Sequence, residues 1–132
     1  MRRVADFAEQ FTCQLPVPPS LNNIYRNAGK RRIKTKEYEA WCLECDWELA
    51  RLKPPAFSLG RVDVSIYLAM PRRPSDIDNR IKPLMDSLQR CEVMRGDDNR
   101  FVRSVRAAWS EEESKCRLHI YYAPALEKRE AA

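Results

Sequence analysis

The stretch from Val62 to Met70 (Val-Asp-Val-Ser-Ile-Tyr-Leu-Ala-Met) restricts the fold more than any other. Apolar residues at every second position, with smaller or polar ones between them, predict a strand with one face buried and the other at least partly wet. The strand hands the chain through Pro71-Arg-Arg-Pro74 directly to an acidic segment, Ser75-Asp76-Ile-Asp78-Asn-Arg-Ile-Lys82-Pro-Leu-Met-Asp86-Ser-Leu88. About twenty residues after its first carboxylates comes a second acidic group, Gly96-Asp97-Asp98-Asn99.

Spacing suggests how these groups could meet. Asp76 and Asp78 are two apart, so an extended backbone would project both carboxylates from the same side. Lys82 and Asp86 are four apart, so a helix would stack them one turn above the other. The helix has to accommodate Pro83, which lacks an amide hydrogen, and a start near Asn79 or Arg80 leaves Pro83 in or just past the first turn. Asp76 and Asp78 then fall in the loop ahead of the helix, and Ile81, Leu84, Met85 and Leu88 form its inward stripe. Carboxylates on a strand end and on a later loop can converge beside the lysine, and a few carboxylate oxygens with water and phosphate suit a hard cation such as Mg²⁺. The same residues also suit a helix cap and a solvated turn.

The chain has 132 residues, 44% hydrophobic and 33% charged, which predicts one domain spanning 1–132. No apolar run approaches the roughly 20 residues that cross a bilayer, and Met-Arg-Arg-Val-Ala-Asp at the start has no signal-peptide core. A cytoplasmic protein with no membrane partner is expected. A formal net charge of +5 favours a polyanionic partner, with Lys30, Arg31, Arg32, Lys34 and Lys36 within seven residues and Arg100, Arg103 and Arg106 after the acidic pair. The five cysteines read as reduced thiols. Cys42 and Cys45 form a C-x-x-C inside a helical pattern, without a second pair at zinc spacing. His119, the only histidine, sits in strand alternation, and no nucleophilic triad pattern accompanies it.

Phe11–Leu15 reads as a strand ended by Pro16, Pro18 and Pro19, followed by a turn-rich extended segment to Arg26. Asn27–Arg32 reads as a flexible basic tip and Arg32–Thr35 as a returning strand. Tyr38, Trp41, Cys42, Cys45, Leu49 and Leu52 form one helical stripe from Lys36 to about Leu52, capped by Thr35 and stopped by Pro54-Pro55. Trp41 and Trp47 suit core or interface positions. Phe101–Trp109 reads as a strand with Arg103, Val105 and Ala107 on one side and Val102, Ser104 and Arg106 on the other. Ser110–Lys115 is a polar hairpin turn, Cys116–Tyr122 the last strand, and 125–132 a flexible charged tail. Order and type of element predict an α+β domain, with two main helices and a mixed, largely antiparallel sheet.

From Pro18-Pro-Ser-Leu-Asn-Asn-Ile-Tyr-Arg26 through Asp76-Ile-Asp78-Asn79, Lys82 and Asp86-Ser-Leu88 to Asp97-Asp98, the chain resembles the RusA family of Holliday-junction resolvases. The likeness covers roughly residues 11 to 122. It implies a Mg²⁺-dependent endonuclease, with Mn²⁺ as a possible substitute, that cuts four-way DNA junctions as a homodimer in the bacterial nucleoid or a phage-infected cell. Carried over residue by residue, Asp76, Asp78 and Asp98 are the metal-binding carboxylates and Lys82 the catalytic lysine. Asp97 competes with Asp98, because the Gln89–Gly96 connection runs one residue longer than in the compared member. Ser75 stands where that member has arginine. Asp86 would orient Lys82, and Lys30, Arg31, Arg32, Lys34, Arg72, Arg73, Arg80, Arg100 and Arg103 would offset the site's negative charge toward DNA. Two alternatives share these residues: a branched-DNA-binding module without catalysis, and a metal-dependent nuclease of broader branch specificity.

Overall fold

The computed structural model describes residues 9–20, 24–55 and 61–122. The expected tail at 125–132, the first residues, and Leu21, Asn22 and Asn23 of the turn-rich segment lie outside them. The elements are β1 (Glu9–Leu15), β2 (Tyr25–Ala28), β3 (Arg31–Lys34), α1 (Lys36–Leu52), β4 (Val62–Ala69), α2 (Asp78–Arg90), β5 (Val102–Ser110) and β6 (Cys116–Tyr122). Strands β1-β6-β4-β5 form one sheet, antiparallel except between β4 and β5, and β2-β3 form a separate hairpin. The expected α+β class, with a mixed and largely antiparallel sheet and two helices, is what the chain adopts. The parallel β4–β5 pair needs a crossover, and α2 supplies it.

Register explains the core. Phe11, Ile120 and Val64 lie side by side across three strands, as do Cys13, Leu118 and Ile66, and all six are buried. The intervening row Thr12–His119–Ser65 lies on the opposite, more exposed face. Both helices contribute to the apolar cluster on the buried face. From α1 come Tyr38, Trp41, Cys42, Cys45 and Leu49, and from α2 come Leu84, Met85 and Leu88. Leu84 and Leu88 are fully buried, which at roughly 1.5–3 kcal/mol each holds α2 in place. Thr35 caps α1, its hydroxyl accepting from the Tyr38 amide at 3.1 Å. Lys53, at φ 52°, ends the helix in a left-handed turn before Pro54.

Three expectations needed correction. The basic tip is mostly strand, because Ala28 pairs with Arg31 and only Gly29-Lys30 turn the chain. Gly29, at φ 65°, takes the first corner of this two-residue hairpin, a place that favours glycine. Of the two tryptophans expected at core or interface positions, Trp41 is in the core and Trp47 is 72% exposed on α1. In β5 the expected two-sided alternation breaks at a bulge: Val62 pairs with Val102 but Asp63 with Ser104, leaving Arg103 as the extra residue. Val102 and Ala107, of opposite parity, therefore both reach the core. Finally, α2 starts at Asp78, which makes Pro83 its sixth residue and forgoes one bond to the Asn79 carbonyl. No helix among the described residues is long and apolar enough to cross a membrane.

Candidate active site

Strand β4 ends at Ala69, and the chain reaches α2 through residues 70–77. The Arg80 side chain ties that connection to the proline-rich segment. The Arg80 guanidinium donates to the Ser75 hydroxyl through Nε and Nη2, at 3.3 and 3.2 Å, and through Nη1 to the Pro18 carbonyl. The proline-rich segment is tied on its other side by Trp41, whose Nε1 donates to the Pro16 carbonyl at 2.9 Å. Both prolines leave their carbonyls free of any strand ladder, and the two helices use them as anchors.

Ile77 has helical backbone angles (φ −65°, ψ −37°), and Asp78 is the first helical residue. Asp76 and Asp78 are therefore not related by strand alternation, as an extended segment would require. Both carboxylates are exposed, and among the described residues neither is in an ion pair. Asp78, Lys82 and Asp86 fall at successive intervals of four, along one face of α2.

Lys82 lies at the centre of that face. Its ammonium is 2.9 Å from Asp86 Oδ1 and 2.9 Å from Asp97 Oδ2. The hydrogen bond to Asp86, followed by that to Asp97, holds its pKa well above the usual lysine range. The next carboxylate in the loop goes elsewhere. Asp98 accepts from Arg100 Nη2 at 2.8 Å, Nε at 3.0 Å and its amide at 2.9 Å, which together pull its pKa down to about 2.

The expected meeting of Asp76, Asp78 and Asp98 is not what this arrangement shows. Among the described residues, no three Asp, Glu, His or Cys side chains stand together as an ion's ligand set. Asp98 is instead bonded to Arg100, and Lys82 bonds Asp86 and Asp97. The donor chemistry nevertheless suits Mg²⁺, which commonly binds through one or two carboxylates and completes its shell with water and substrate phosphate. Asp76 and Asp78, both open to solvent, are the donors of that kind.

The cations expected to meet DNA divide into two groups. Arg80 is bonded to Ser75 and Pro18, Arg100 to Asp98, and Arg103 to Asp63, so each is engaged within the fold. Arg72 and Arg73 flank the site, exposed. Lys30, Arg31, Arg32 and Lys34 are all on or beside the β2–β3 hairpin. Ser75 and Pro18 had no sequence signal as anchors, since a hydroxyl five residues before an arginine matches no helical or strand spacing. Burial makes three of the thiols poor nucleophiles, pushing Cys13 up to about 12, and Cys91 and Cys116 to about 11. His119 packs edge-on against Tyr67, with ring centres 6.0 Å apart.

Two comparisons bear on this site. The family profile described as Endodeoxyribonuclease RusA matches residues 16–121. The chain is 34% identical over 92 residues to the "Crossover junction endodeoxyribonuclease RusA" of Aquifex aeolicus (strain VF5), covering 68% of this chain and 71% of that one. It is 29% identical over 97 residues to the "Crossover junction endodeoxyribonuclease rusA" of Enterobacteria phage HK97, covering 70% of this chain and 81% of that one. The matched span takes in the hairpin, the Arg80 anchor, the open carboxylates and the Lys82 ion pairs, and the chain belongs to the RusA family of endodeoxyribonucleases.

Proposed function

We propose that this protein is a Mg²⁺-dependent endonuclease that resolves four-way DNA junctions by two symmetric phosphodiester cuts, acting as a homodimer. The observation that supports this most is the exposed face of α2. It presents an open carboxylate, Asp78, one turn before an ammonium group that Asp86 and Asp97 hold in position.

Asp76 and Asp78 would hold the ion, with Asp97 or Asp98 as the further carboxylate. When bound, Mg²⁺ lowers the pKa of coordinated water and neutralises charge on the phosphate. Lys82 supplies a compact positive charge where the phosphate's oxygens gain negative charge. Its two carboxylate partners keep it protonated and limit its rotamers, so little reorganisation is needed when the phosphate arrives. Arg80 fixes the loop just ahead of Asp76 through Ser75. A two-fold dimer places one such site at each of two symmetry-related strands, which is what paired cuts on a four-way junction require.

The test is a synthetic four-way junction with Mg²⁺, wild type beside Asp78→Asn. The variant removes a ligand's charge while keeping its shape. It should bind the junction and cleave at least roughly 1,000-fold more slowly, the scale of losing an essential charge-stabilising group. Cleavage by Asp78→Asn at the wild-type rate would refute the assignment.

A further inference from the structure

We infer that the β2–β3 hairpin is a double-strand clamp, gripping the sugar-phosphate backbone of one duplex arm next to the site; this rests on the endonuclease reading above. Residues 24–36 contain six cations (Arg26, Lys30, Arg31, Arg32, Lys34 and Lys36) and no carboxylate, whereas the whole chain has a formal net charge of only +5. The rest of the protein is therefore close to neutral, and its positive potential is concentrated in one small element.

Pairing sharpens the contrast. Among the described residues, ion pairs engage Arg51, Lys82, Arg90, Arg100, Arg103 and Arg117, none of which belongs to the hairpin. Two of the hairpin cations meet aromatic rings instead. The Arg32 guanidinium lies 4.7 Å from the centre of Tyr25, and the Lys34 ammonium 5.7 Å from that of Tyr38. Neither contact neutralises charge. Register spreads the cations over both faces of the hairpin: Lys34 opposite Tyr25 and Arg32 opposite Asn27 on one, Arg31 opposite Ala28 and Arg26 opposite Ile33 on the other. An element with unpaired cations on both faces suits a polyanion that passes alongside it.

The base of the hairpin places it beside the catalytic face. Tyr25 meets Tyr38 edge-on at 6.1 Å, and Tyr38 stacks on Trp41 at 5.9 Å. Tyr38 belongs to the same buried cluster as Leu84 and Met85 of α2, the helix that carries Lys82 and Asp86. The Thr35 amide donates to the Ile24 carbonyl at 3.0 Å, closing the hairpin at its root. A phosphate at Lys82 would thus belong to a strand whose neighbouring phosphates run along the hairpin.

The experiment measures binding without cleavage, in EDTA, for a four-way junction and for a linear duplex of one arm's sequence, from 50 to 200 mM salt. The variant replaces Arg26, Lys30 and Arg31 by alanine, none of which is in an ion pair. Each lost phosphate contact removes about 0.9 from the slope of log affinity against log salt, so the triple variant should flatten it by roughly 2 to 3 on both DNAs. Lys30→Glu, confined to the turn, should lower the slope in the same direction, and a melting curve matching wild type excludes misfolding as the cause. Unchanged slopes in both variants would overturn the clamp. A change on the junction but not on the duplex would overturn the duplex-arm assignment and place the hairpin at the branch. Wild-type protein that binds with the expected slope but never cuts with Mg²⁺ would sink the nuclease reading and leave the clamp standing.

Discussion

Lys82 and Asp97 are fifteen residues apart in the chain, yet the ammonium and carboxylate meet at 2.9 Å. The neighbouring Asp98 is held by Arg100. This distinguishes two carboxylates that adjacency in sequence leaves equivalent. Asp97→Asn should reduce junction cleavage at least about 100-fold, the scale of misplacing a catalytic charge. Asp98→Asn should cost less. The Lys82–Asp97 pair is largely exposed, so Asp97→Asn should cost no more than about 1 kcal/mol of stability. Single-turnover rates at saturating enzyme decide the matter, and the order of the two variants reversed would move the catalytic role to Asp98.

The pH dependence of cleavage follows from the same ion pairs. A lysine whose folded pKa is raised keeps its full pairing contribution below the unfolded value, near 10.4, and loses it only above that. Lys82 should therefore stay charged across the working range and act as a cation rather than a base. The alkaline limb of the rate profile should show no ionisation attributable to Lys82 below about pH 10. Asp98 behaves in the opposite sense: its depressed value means that its pairing with Arg100 is present above about pH 4 and lost as pH falls toward 2. A base-like inflection near pH 7 to 8 that vanishes in Lys82→Arg would contradict this role.

Arg80, expected to meet DNA, bonds Ser75 and Pro18 through its guanidinium. It should act as a positioning residue for the loop that carries Asp76. Arg80→Lys keeps the charge but loses the planar fork, so it cannot serve both acceptors. Junction affinity in EDTA, and its salt slope, should stay near wild type, while the cleavage rate at saturation drops by about 10- to 100-fold, as for a site displaced by a fraction of an ångström. If Arg80 contacted DNA directly, Arg80→Ala would flatten the salt slope by close to 1. Ser75→Ala, which removes only the hydroxyl, should reproduce part of the rate loss.

Local features of this fold were legible before any coordinates. Alternation in Val62–Ala69, the stripe from Tyr38 to Leu49 and the Thr35 cap are short-range consequences of residue type, and they appear where spacing puts them. Lys82 and Asp86 meet because four residues make one helical turn. What could not be read depended on partners distant in sequence. The bulge at Arg103 is set by pairing with Asp63 and Val62, forty residues earlier, and it moves Val102 to the face of Ala107. The choice between Asp97 and Asp98 depends on how residues 91–101 fold back over α2. Trp47 and Trp41 lie six apart on one helix, and only the position of the sheet decides which is covered.

Gly96 is the residue on which that loop's path depends. A Cβ added there would lie 2.7 Å from Phe101 Cδ2 and 3.1 Å from Cε2, well inside contact distance. The ring itself is flanked by guanidinium groups, Arg100 at 4.8 Å and Arg95 at 5.4 Å, so moving it disturbs charges next to Asp98. Gly96→Ala should therefore destabilise the protein by about 1–3 kcal/mol, the usual cost of overpacking. Because Asp97 follows directly, the same shift should draw its carboxylate from Lys82 and slow cleavage by roughly 10-fold or more. Phe101→Ala opens the space, and the double variant should recover part of both losses. Melting temperature and cleavage rate for the four proteins form a double-mutant cycle with favourable coupling expected. If the two changes merely add, the ring does not constrain the loop, and the position of Asp97 must be set by Lys82 alone.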